Sequence, residues 1–528
     1  MSESSERIRA YWSRFTSGDR AAQLTLSGSA AAVVLVLALI AWSVSGSDNP
    51  NEPGSITDRA ADALSDPTLG DFSSPTDDGG SNGTSVGSGS TSSGSVSAPG
   101  GVPDVPKDVA LTKDAIKIGI AYNKDPGTAN AAAGFAGIGQ VDQKLAWDTM
   151  IKEYNKAPPF GRKIVPVYYA TTTDDITSKG QERIEQEACA HYTQDNKVFM
   201  VWGGVVGGDT INACLTKKGI PLIGGGGSRA TYARYPYMIT PTGVAMERMA
   251  EFEIDQLVKQ NFFKVFKDNQ LPYTPQKPAD GKARIGLIRY DEPEWDAGAA
   301  AMKKRLASHG LSLCSGCEFE IAYSSDNIQE QLDDATEINA AIQNCKSRPG
   351  GPCTHMVFLG TLAGVRITLF FVDGAEKQQY RPRLGFNPLD APQVVADTLG
   401  EPSYPQFRQS VVITDSPAEF KANTPAWTKC KDQIEAGGQD IDDANTEAQM
   451  TLYCDTAWYT RAVLEKAGET LSLQTFMNGV HTMAPTPSSS ASLMQTKQGR
   501  HDGSGAVRAG AWSDDCHCYK PSSGIVPV

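Results

Sequence analysis

Short apolar runs alternate with amphipathic stretches from residue 116 onward. The apolar runs have the length and β-branched content of buried strands. Strands are predicted in a first series at 116–122, 163–170, 197–203 and 219–225, and in a second series at 283–290, 311–323, 355–360, 381–386 and 410–414. Helical patterns lie between them, for example at 140–156, 178–195 and 297–310. This alternation predicts an α/β fold with parallel sheets covered on both faces. Two series predict two doubly wound lobes with a hinge and a cleft between them.

An uncharged run from Leu24 to Val44 precedes the folded part. Its 21 residues, at about 1.5 Å each, match the roughly 30 Å hydrocarbon core of a bilayer. Arginines lie before the run, and the first charges after it are Asp48 and Glu52. The positive-inside rule therefore predicts a single-pass cell-membrane anchor with a cytoplasmic tail at 1–23 and an extracellular remainder. A cleaved signal peptide is the alternative, although its apolar region is usually shorter, about 7–15 residues.

Residues 45–107 are dominated by Ser, Gly, Thr, Pro and Asp and contain few large apolar side chains. Such a segment cannot bury enough surface to offset its ordering entropy, and it is predicted to be a disordered linker. The folded region is predicted at 108–528. Its first lobe is expected at about 108–241 and 416–480, and its second at about 242–415 with part of 481–528.

Charge and motif content exclude several functions. The chain has 48 Lys plus Arg against 61 Asp plus Glu, a net charge of −13, which disfavours binding to phosphate backbones and hence to nucleic acid. No HExxH, P-loop or Rossmann GxGxxG motif is present in the sequence. We therefore expect a protein that is not an enzyme and that uses no cofactor and no catalytic metal.

The ten cysteines all follow the predicted anchor, where an oxidising compartment permits disulfides. Their spacing suggests the local pairs Cys189 with Cys214, Cys314 with Cys317, Cys345 with Cys353, Cys430 with Cys454, and Cys516 with Cys518. Sequence alone cannot fix this connectivity. Zinc and redox chemistry are the alternatives for the CxxC at 314–317 and for the Cys-His-Cys at 516–518. Neither group has a completing set of ligands nearby in the sequence, and structural disulfides are favoured.

Two glycine-rich loops follow predicted strands of the first series, at 203–210 and 224–231. In a parallel sheet such loops lie at the carboxyl ends of the strands, where ligands bind. Backbone N–H groups and a helix N-terminus can hold an anion there. Glycines that serve only tight turns are the alternative interpretation.

The order of these segments resembles the type I periplasmic-binding-protein family, in its branched-chain amino-acid branch of ABC-transporter substrate-binding proteins. The resemblance runs from about Asp114 to Tyr519. It is carried by IKIGIAY, AAAGFAGIGQ, VPVYYATTTDD, the block from QEACAHYTQD to IGGGGSRAT, and ARIGLIRYDEPEWDAGAAAMKKRLASHG. It implies two hinged lobes that enclose a small molecule.

The resemblance also implies roles for individual residues. It implies a disulfide between Cys189 and Cys214, and it places a ligand's carboxylate on the N–H and hydroxyl groups of the first glycine loop. Trp295 is expected to close over the ligand from the second lobe. The residues implied in ligand binding are Val206, Gly207, Gly208, Asp209, Thr210, Gly226, Gly227, Ser228, Trp295, Thr361 and Asn387.

Two departures bear on the ligand. Amino-acid binders of the family have small hydroxyl residues in the first loop, where this chain has Val-Val-Gly-Gly. They also have an acidic residue after the strand matching 381–386, whereas here Asn387 follows and the nearest acid is Asp390. A buried ammonium without a carboxylate partner costs several kcal/mol. Another small polar metabolite is therefore as plausible as an α-amino acid.

Together these patterns predict a membrane-tethered solute-binding protein outside the cytoplasm. Its expected partners are a small-molecule ligand and an ABC permease in the membrane. The alternative is the ectodomain of a ligand-sensing receptor that acts through a separate signalling partner.

Overall fold

The first series of apolar runs forms a five-stranded, wholly parallel sheet with the strand order β2-β1-β3-β4-β5. Its strands are β1 Ala115–Asn123, β2 Lys163–Thr171, β3 Met200–Trp202, β4 Leu222–Ile223 and β5 Met238–Ile239. The helices between them are α1 Gln143–Lys156, α2 Thr173–Lys179, α3 Gln181–Ala190, α4 Asp209–Lys218 and α5 Arg229–Arg234. This confirms the predicted parallel α/β class for the first lobe.

This computed structural model describes residues 110–125, 140–203, 207–264, 280–322, 328–359, 364–442 and 444–528. The predicted tail at 1–23, anchor at 24–44 and linker at 45–107 lie outside these ranges. Within the described ranges, none of the helices is both long enough and apolar enough to cross a bilayer.

The second series forms a separate sheet. Its parallel strands are β6 Ile285–Tyr290, β7 Leu313–Ile321, β8 His355–Leu359, β9 Arg383–Phe386 and β10 Val411–Thr414. They pair in the order β10-β9-β8-β6-β7. The accompanying helices are α6 Met246–Lys259, α7 Pro293–Ser308, α8 Ile328–Lys346, α9 Gly364–Lys377, α10 Pro392–Leu399 and α11 Tyr404–Phe407.

Three helices and a small hairpin then return to the first lobe. They are α12 Pro425–Ala436, α13 Ala444–Ala467, α14 Leu473–Thr482, β11 Thr486–Pro487 and β12 Leu493–Met494. Their buried residues share a core with Ile118 and Ile120 of β1. Ala121, the next residue of β1, faces a second core on the opposite side of the sheet. The alternation of side chains along a strand accounts for this two-sided burial.

The chain ends as an antiparallel edge of the second sheet, which the sequence did not predict. β13 Ala506–Ser513 pairs with β10, and β14 Cys518–Pro521 and β15 Val526–Pro527 both pair with β13. The second sheet is therefore mixed and not wholly parallel. The β13 sequence, AVRAGAWS, is poor in β-branched residues and gives a weak strand signal.

A separate core surrounds the second sheet, and the chain passes between it and the first-lobe core that contains Ile118 three times, at 239–246, 420–427 and 494–507. Asp502 links two of these crossings: its carboxylate accepts hydrogen bonds from the backbone N–H of Ala245 (2.8 Å) and from Nε of Arg248 (2.7 Å). The Asp502 and Arg248 side chains are only 4% and 13% exposed. This buried ion pair fixes the chain between the lobes.

Eight of the ten cysteines form the pairs Cys189–Cys214, Cys314–Cys317, Cys430–Cys454 and Cys516–Cys518. The fifth expected pair differs, because Cys345 and Cys353 are unbonded thiols. Their Sγ atoms are nevertheless 2.8 Å apart, and the Sγ of Cys353 lies 3.5 Å from that of Cys317. Tertiary folding thus brings four cysteines into one group.

We expect Asp502→Ala to lower the free energy of unfolding by about 3–5 kcal/mol, because it leaves the buried Arg248 cation without its partner. Urea denaturation at neutral pH measures this. Asp515→Ala is the matched control: it removes a pair with Lys520 whose side chains are 89% and 54% exposed, and it should cost less than about 1 kcal/mol. Equal losses in the two variants would contradict a bracing role for Asp502.

Mild oxidation is expected to join Cys345 to Cys353, because their sulfurs are already closer than ordinary thiol contact. Closing so short a loop should stabilise the chain by roughly 2–3 kcal/mol in the chain-entropy account. The number of thiols titrated in denaturant should fall from two to none, and Cys345→Ser should leave one. If both thiols persist after oxidation, the two sulfurs are not within bonding reach and the prediction is wrong.

Candidate functional site

The loop after β3 is bound by an acidic side chain of its own chain. Glu185 of α3 is only 2% exposed. Its Oε1 accepts hydrogen bonds from the N–H of Gly208 (2.7 Å) and of Gly207 (3.3 Å), and its Oε2 accepts from the N–H of Ile211 (3.2 Å). A carboxylate thus satisfies the unpaired N–H groups at the start of α4. Two of these residues, Gly207 and Gly208, are among those that the family resemblance assigns to ligand binding.

Packing holds Glu185 in this position. A Cβ atom at Gly208 would lie 2.7 Å from its Oε1, so only glycine allows the approach. Four residues further along α3, Cys189 is bonded to Cys214 of α4. The disulfide therefore ties together the two helices that the carboxylate also joins. Sequence reasoning did not identify Glu185, although an acidic residue one helical turn before a bridged cysteine is a signal that could have done so.

The other predicted residues of this loop are differently placed. Val206 lies outside the described residues. Asp209 opens α4 and is exposed, with Oδ2 3.3 Å from the guanidinium of Arg234. Thr210 is half-buried in the first turn. The N–H groups of Gly207 and Gly208 are bonded to Glu185 and the Asp209 carboxylate is paired at the surface, so the described part of the first loop presents little free binding chemistry.

The loop after β4 contains the second predicted group. Gly226 is exposed, whereas Gly227 and Ser228 are buried. Ser228 begins α5, where its Oγ accepts from the N–H of Thr231 (3.2 Å) and its own N–H donates to Thr231 Oγ1 (3.3 Å). This capping box fixes the first turn of α5. It also fixes the direction of the Thr231 hydroxyl.

That hydroxyl connects the two lobes. Thr231 Oγ1 donates to Oε1 of Glu294 (2.8 Å), which stands in the first turn of α7 after the second-lobe strand β6. A Cβ at Gly227 would lie 2.9 Å from the same oxygen. Burial raises the pKa of Glu294, and the hydrogen bond from Thr231 acts in the opposite direction. The strand-end loops of the two sheets therefore meet at this contact.

Trp295 does not occupy the position expected of it. It is 4% exposed within the core of the second lobe and packs edge-to-face on Tyr290, with ring centroids 5.7 Å apart. Helix α7 turns Trp295 inward and Glu294 toward the first lobe. Ligand contact by Trp295 has no support in this position, and Glu294 is the residue that sequence reasoning missed.

Asn387 is fully buried and serves the turn after β9. Its amide donates to the carbonyl of Phe358 (2.9 Å), its Oδ1 accepts from the N–H of Leu389 (2.8 Å), and its backbone N–H donates to Oδ2 of Asp390 (2.8 Å). These bonds use its polar groups for structure. Thr361, the remaining predicted residue, lies outside the described part of the chain.

Acidic residues near this turn are buried as well. Asp390 is fully buried, and burial raises its pKa well above the usual range. Burial also raises the pKa of Glu253, and the charge of Asp390 raises it further. Burial raises the pKa of Glu419 to about 7. Folding therefore favours the neutral form of Asp390.

A surface depression of about 630 Å³ lies elsewhere, between α1 and α12. Its lining includes Glu153 and Lys156 of α1 and Lys429 and Asp432 of α12. The C-terminal turn of α1 lies at the amino ends of the strands, opposite the loops described above. Its position and charged lining give no reason to assign it to ligand capture.

No protein-family model matches the chain, and no curated protein matches it in sequence. Solved structures do share its fold. A possible leucine/isoleucine/valine-binding protein from Rhodopirellula baltica matches with a TM-score of 0.52 at 12% identity, covering 78% of this chain and 98% of that one. A solute-binding protein of an ABC transporter from Rhodopseudomonas palustris, in complex with p-hydroxybenzoic acid, gives 0.53 at 11% identity, with coverages of 78% and 97%.

A fatty acid ABC transporter substrate-binding protein from Thermomonospora curvata gives a TM-score of 0.50 at 16% identity and covers 80% of this chain and 94% of its own. At such identities the likeness shows the fold alone. The fold is that of the type I periplasmic-binding proteins, as the sequence resemblance implied.

We expect Glu294→Gln to stabilise the chain at pH 7 by on the order of 1 kcal/mol, because it keeps an acceptor for Thr231 and removes a charge that burial disfavours. A raised folded-state pKa means that the wild-type glutamate's contribution is fully present below the unfolded value of 4.5 and is lost as the pH rises through the folded value. The difference in unfolding free energy between Glu294→Gln and wild type should therefore vanish in acid.

Urea denaturation at pH 7 and at pH 4 measures this difference in unfolding free energy. Glu401→Gln, at an exposed position, is the control variant. A stability difference that grows in acid, or a Glu294→Gln variant that is less stable than wild type at pH 7, would contradict the assignment of a buried charge to Glu294.

Proposed function

We propose that the chain is a solute-binding protein that captures a small polar molecule between its two lobes and delivers it to an ABC permease. The contact between Thr231 and Glu294 carries this proposal, because it joins the strand-end loops of the two sheets. Ligands of doubly wound sheets bind at such strand ends. Solved structures with this fold include solute-binding and substrate-binding proteins of ABC transporters, which also supports it.

Capture would proceed by hinge closure. The three chain crossings form the hinge, and the bond between Thr231 and Glu294 marks the closed arrangement. A solute would first meet the exposed glycines of the loop after β4 and would then be covered by the start of α7. We propose Gly226, Gly227, Ser228 and Glu294 as the principal contacts, and Val206, Thr210 and Thr361 as further ones.

A binding role rather than catalysis fits the acidic residues near the cleft. Asp175, which follows β2, accepts hydrogen bonds from the N–H and the hydroxyl of Thr172 (3.0 and 2.9 Å) and pairs with Lys179 (3.1 Å). The hydrogen bond from Lys179 is the largest cause of its lowered pKa. Asp175 therefore caps and stabilises α2, and it is neither an effective general acid nor an effective general base near neutral pH.

Delivery to a permease requires the protein to lie at the membrane. The uncharged run at 24–44 and the polar segment at 45–107 support an anchored chain with a long tether outside the cytoplasm. We propose a single-pass anchor with an extracellular binding region, and an ABC permease as the membrane partner.

Thermal unfolding of the full chain against amino acids, amides, polyols, sugars and small aromatic compounds tests this function. A captured solute at 100 times its Kd should add about 2.7 kcal/mol of stability and raise the melting temperature by several degrees. Thr231→Val should weaken binding roughly 5–10-fold, since it removes one hydrogen bond of the closed state.

Thr475→Val is the matched control, because Thr475 holds the same capping-box position in α14, a helix packed in the first-lobe core. It should cost similar stability and leave the affinity unchanged. Failure of every solute class, or equal loss of affinity in both variants, would remove the cleft between the lobes as the binding site.

A further inference from the structure

Glu185 resembles a bound ligand more than an ordinary helix cap. Four donors converge on its carboxylate: the N–H groups of Gly207, Gly208 and Ile211, and the side-chain amide of Gln181 at 2.9 Å. Oε1 accepts three of these bonds and Oε2 the fourth. Several donors converging on both oxygens of one buried carboxylate is how a protein binds a carboxylate ligand.

The position of this carboxylate connects it with the proposed cleft. The loop that donates to Glu185 touches the next strand-end loop, because a Cβ at Gly225 would lie 3.4 Å from the carbonyl oxygen of Gly207. Glu294 approaches that same second loop at Gly227. A ligand carboxylate entering here would meet two acidic side chains and would find the N–H groups already bonded.

Displacement of Glu185 would also be costly. The Cys189–Cys214 disulfide holds α3 against α4, and the side chain of Asn212 donates to the carbonyl of Gly207 (2.8 Å), which fixes the loop. Swinging the side chain away would leave three N–H groups unbonded. A free carboxylate gains little by replacing an acceptor that is tethered in place.

We propose that Glu185 is a specificity-determining residue: it fills a carboxylate-binding site with the chain's own carboxylate, so that the cleft selects solutes that lack one. This inference rests on the proposed solute-binding function. It separates the chain chemically from the solved structure bound to p-hydroxybenzoic acid, whose ligand carries a carboxyl group. The solutes expected here are neutral or cationic polar molecules.

Acetate is the probe for this site. Glu185→Ala removes one methylene carbon and the carboxylate, which together have the heavy atoms of acetate. We expect the variant to melt several degrees below wild type. About 0.1 M sodium acetate should then raise its melting temperature by about 2 °C more than sodium chloride of equal ionic strength.

Three controls define the response. Wild type and Glu182→Ala, at an exposed position of the same helix, should respond to acetate no more than to chloride. Glu185→Gln keeps the side-chain volume and leaves acetate no space, so it should not respond either. If Glu185→Ala does not fold unaided, its refolding yield in acetate against chloride replaces the melting temperature as the readout.

No acetate-specific gain in Glu185→Ala, or an equal gain in wild type, would overturn the inference while leaving solute capture intact. The solute screen with wild type reports on the function separately. Acetate binding by Glu185→Ala in a chain that captures no solute class would remove the selective role of Glu185 together with the proposed function.

Discussion

The N–H groups at the start of α4 require an acceptor, and the chain provides one in Glu185. A parallel sheet brings strand-end loops and helix N-termini to one edge, where unpaired donors accumulate. In this lobe the loop after β3 is closed by the Glu185 carboxylate, and the disulfide between α3 and α4 secures the arrangement. The contacts assigned to a solute in the proposed function therefore lie in the neighbouring loop after β4 and in the first turn of α7.

The two lobes are connected by contacts of different kinds. At the crossings, a buried ion pair between Arg248 and Asp502 braces the chain. At the strand ends, one hydroxyl-to-carboxylate bond joins Thr231 to Glu294. Breaking the ion pair costs more free energy than breaking the hydrogen bond, because separating a buried ion pair leaves an uncompensated charge. This difference is what the proposed hinge closure requires.

Much of the fold could be predicted because it depends on local patterns. The apolar runs of β1, β2 and β6–β10 and their alternation with helices predicted the parallel α/β class. The pattern did not predict β13, whose small residues form a strand only because β10 provides an edge for pairing. The grouping of Cys314, Cys317, Cys345 and Cys353 likewise depends on tertiary contacts across a separation that sequence spacing does not encode.

The candidate site was less predictable than the fold, because its chemistry depends on side-chain direction. The glycine loops were located correctly as strand-end loops, yet the sequence did not show that Glu185 binds the first of them. Trp295 and Glu294 are adjacent in sequence, and the start of α7 decides which of them faces the core and which the other lobe. Asn387 donates its amide to the carbonyl of Phe358 in β8, and its Oδ1 accepts from the N–H of Leu389 in its own turn.

A crystal structure of the full chain with its best solute would test the central claim most directly. We predict density for the solute between residues 225–228 and the first turn of α7, with the Gly207 and Gly208 N–H groups still bonded to Glu185. Solute density in the depression between α1 and α12, or a solute carboxylate in the place of Glu185, would contradict it.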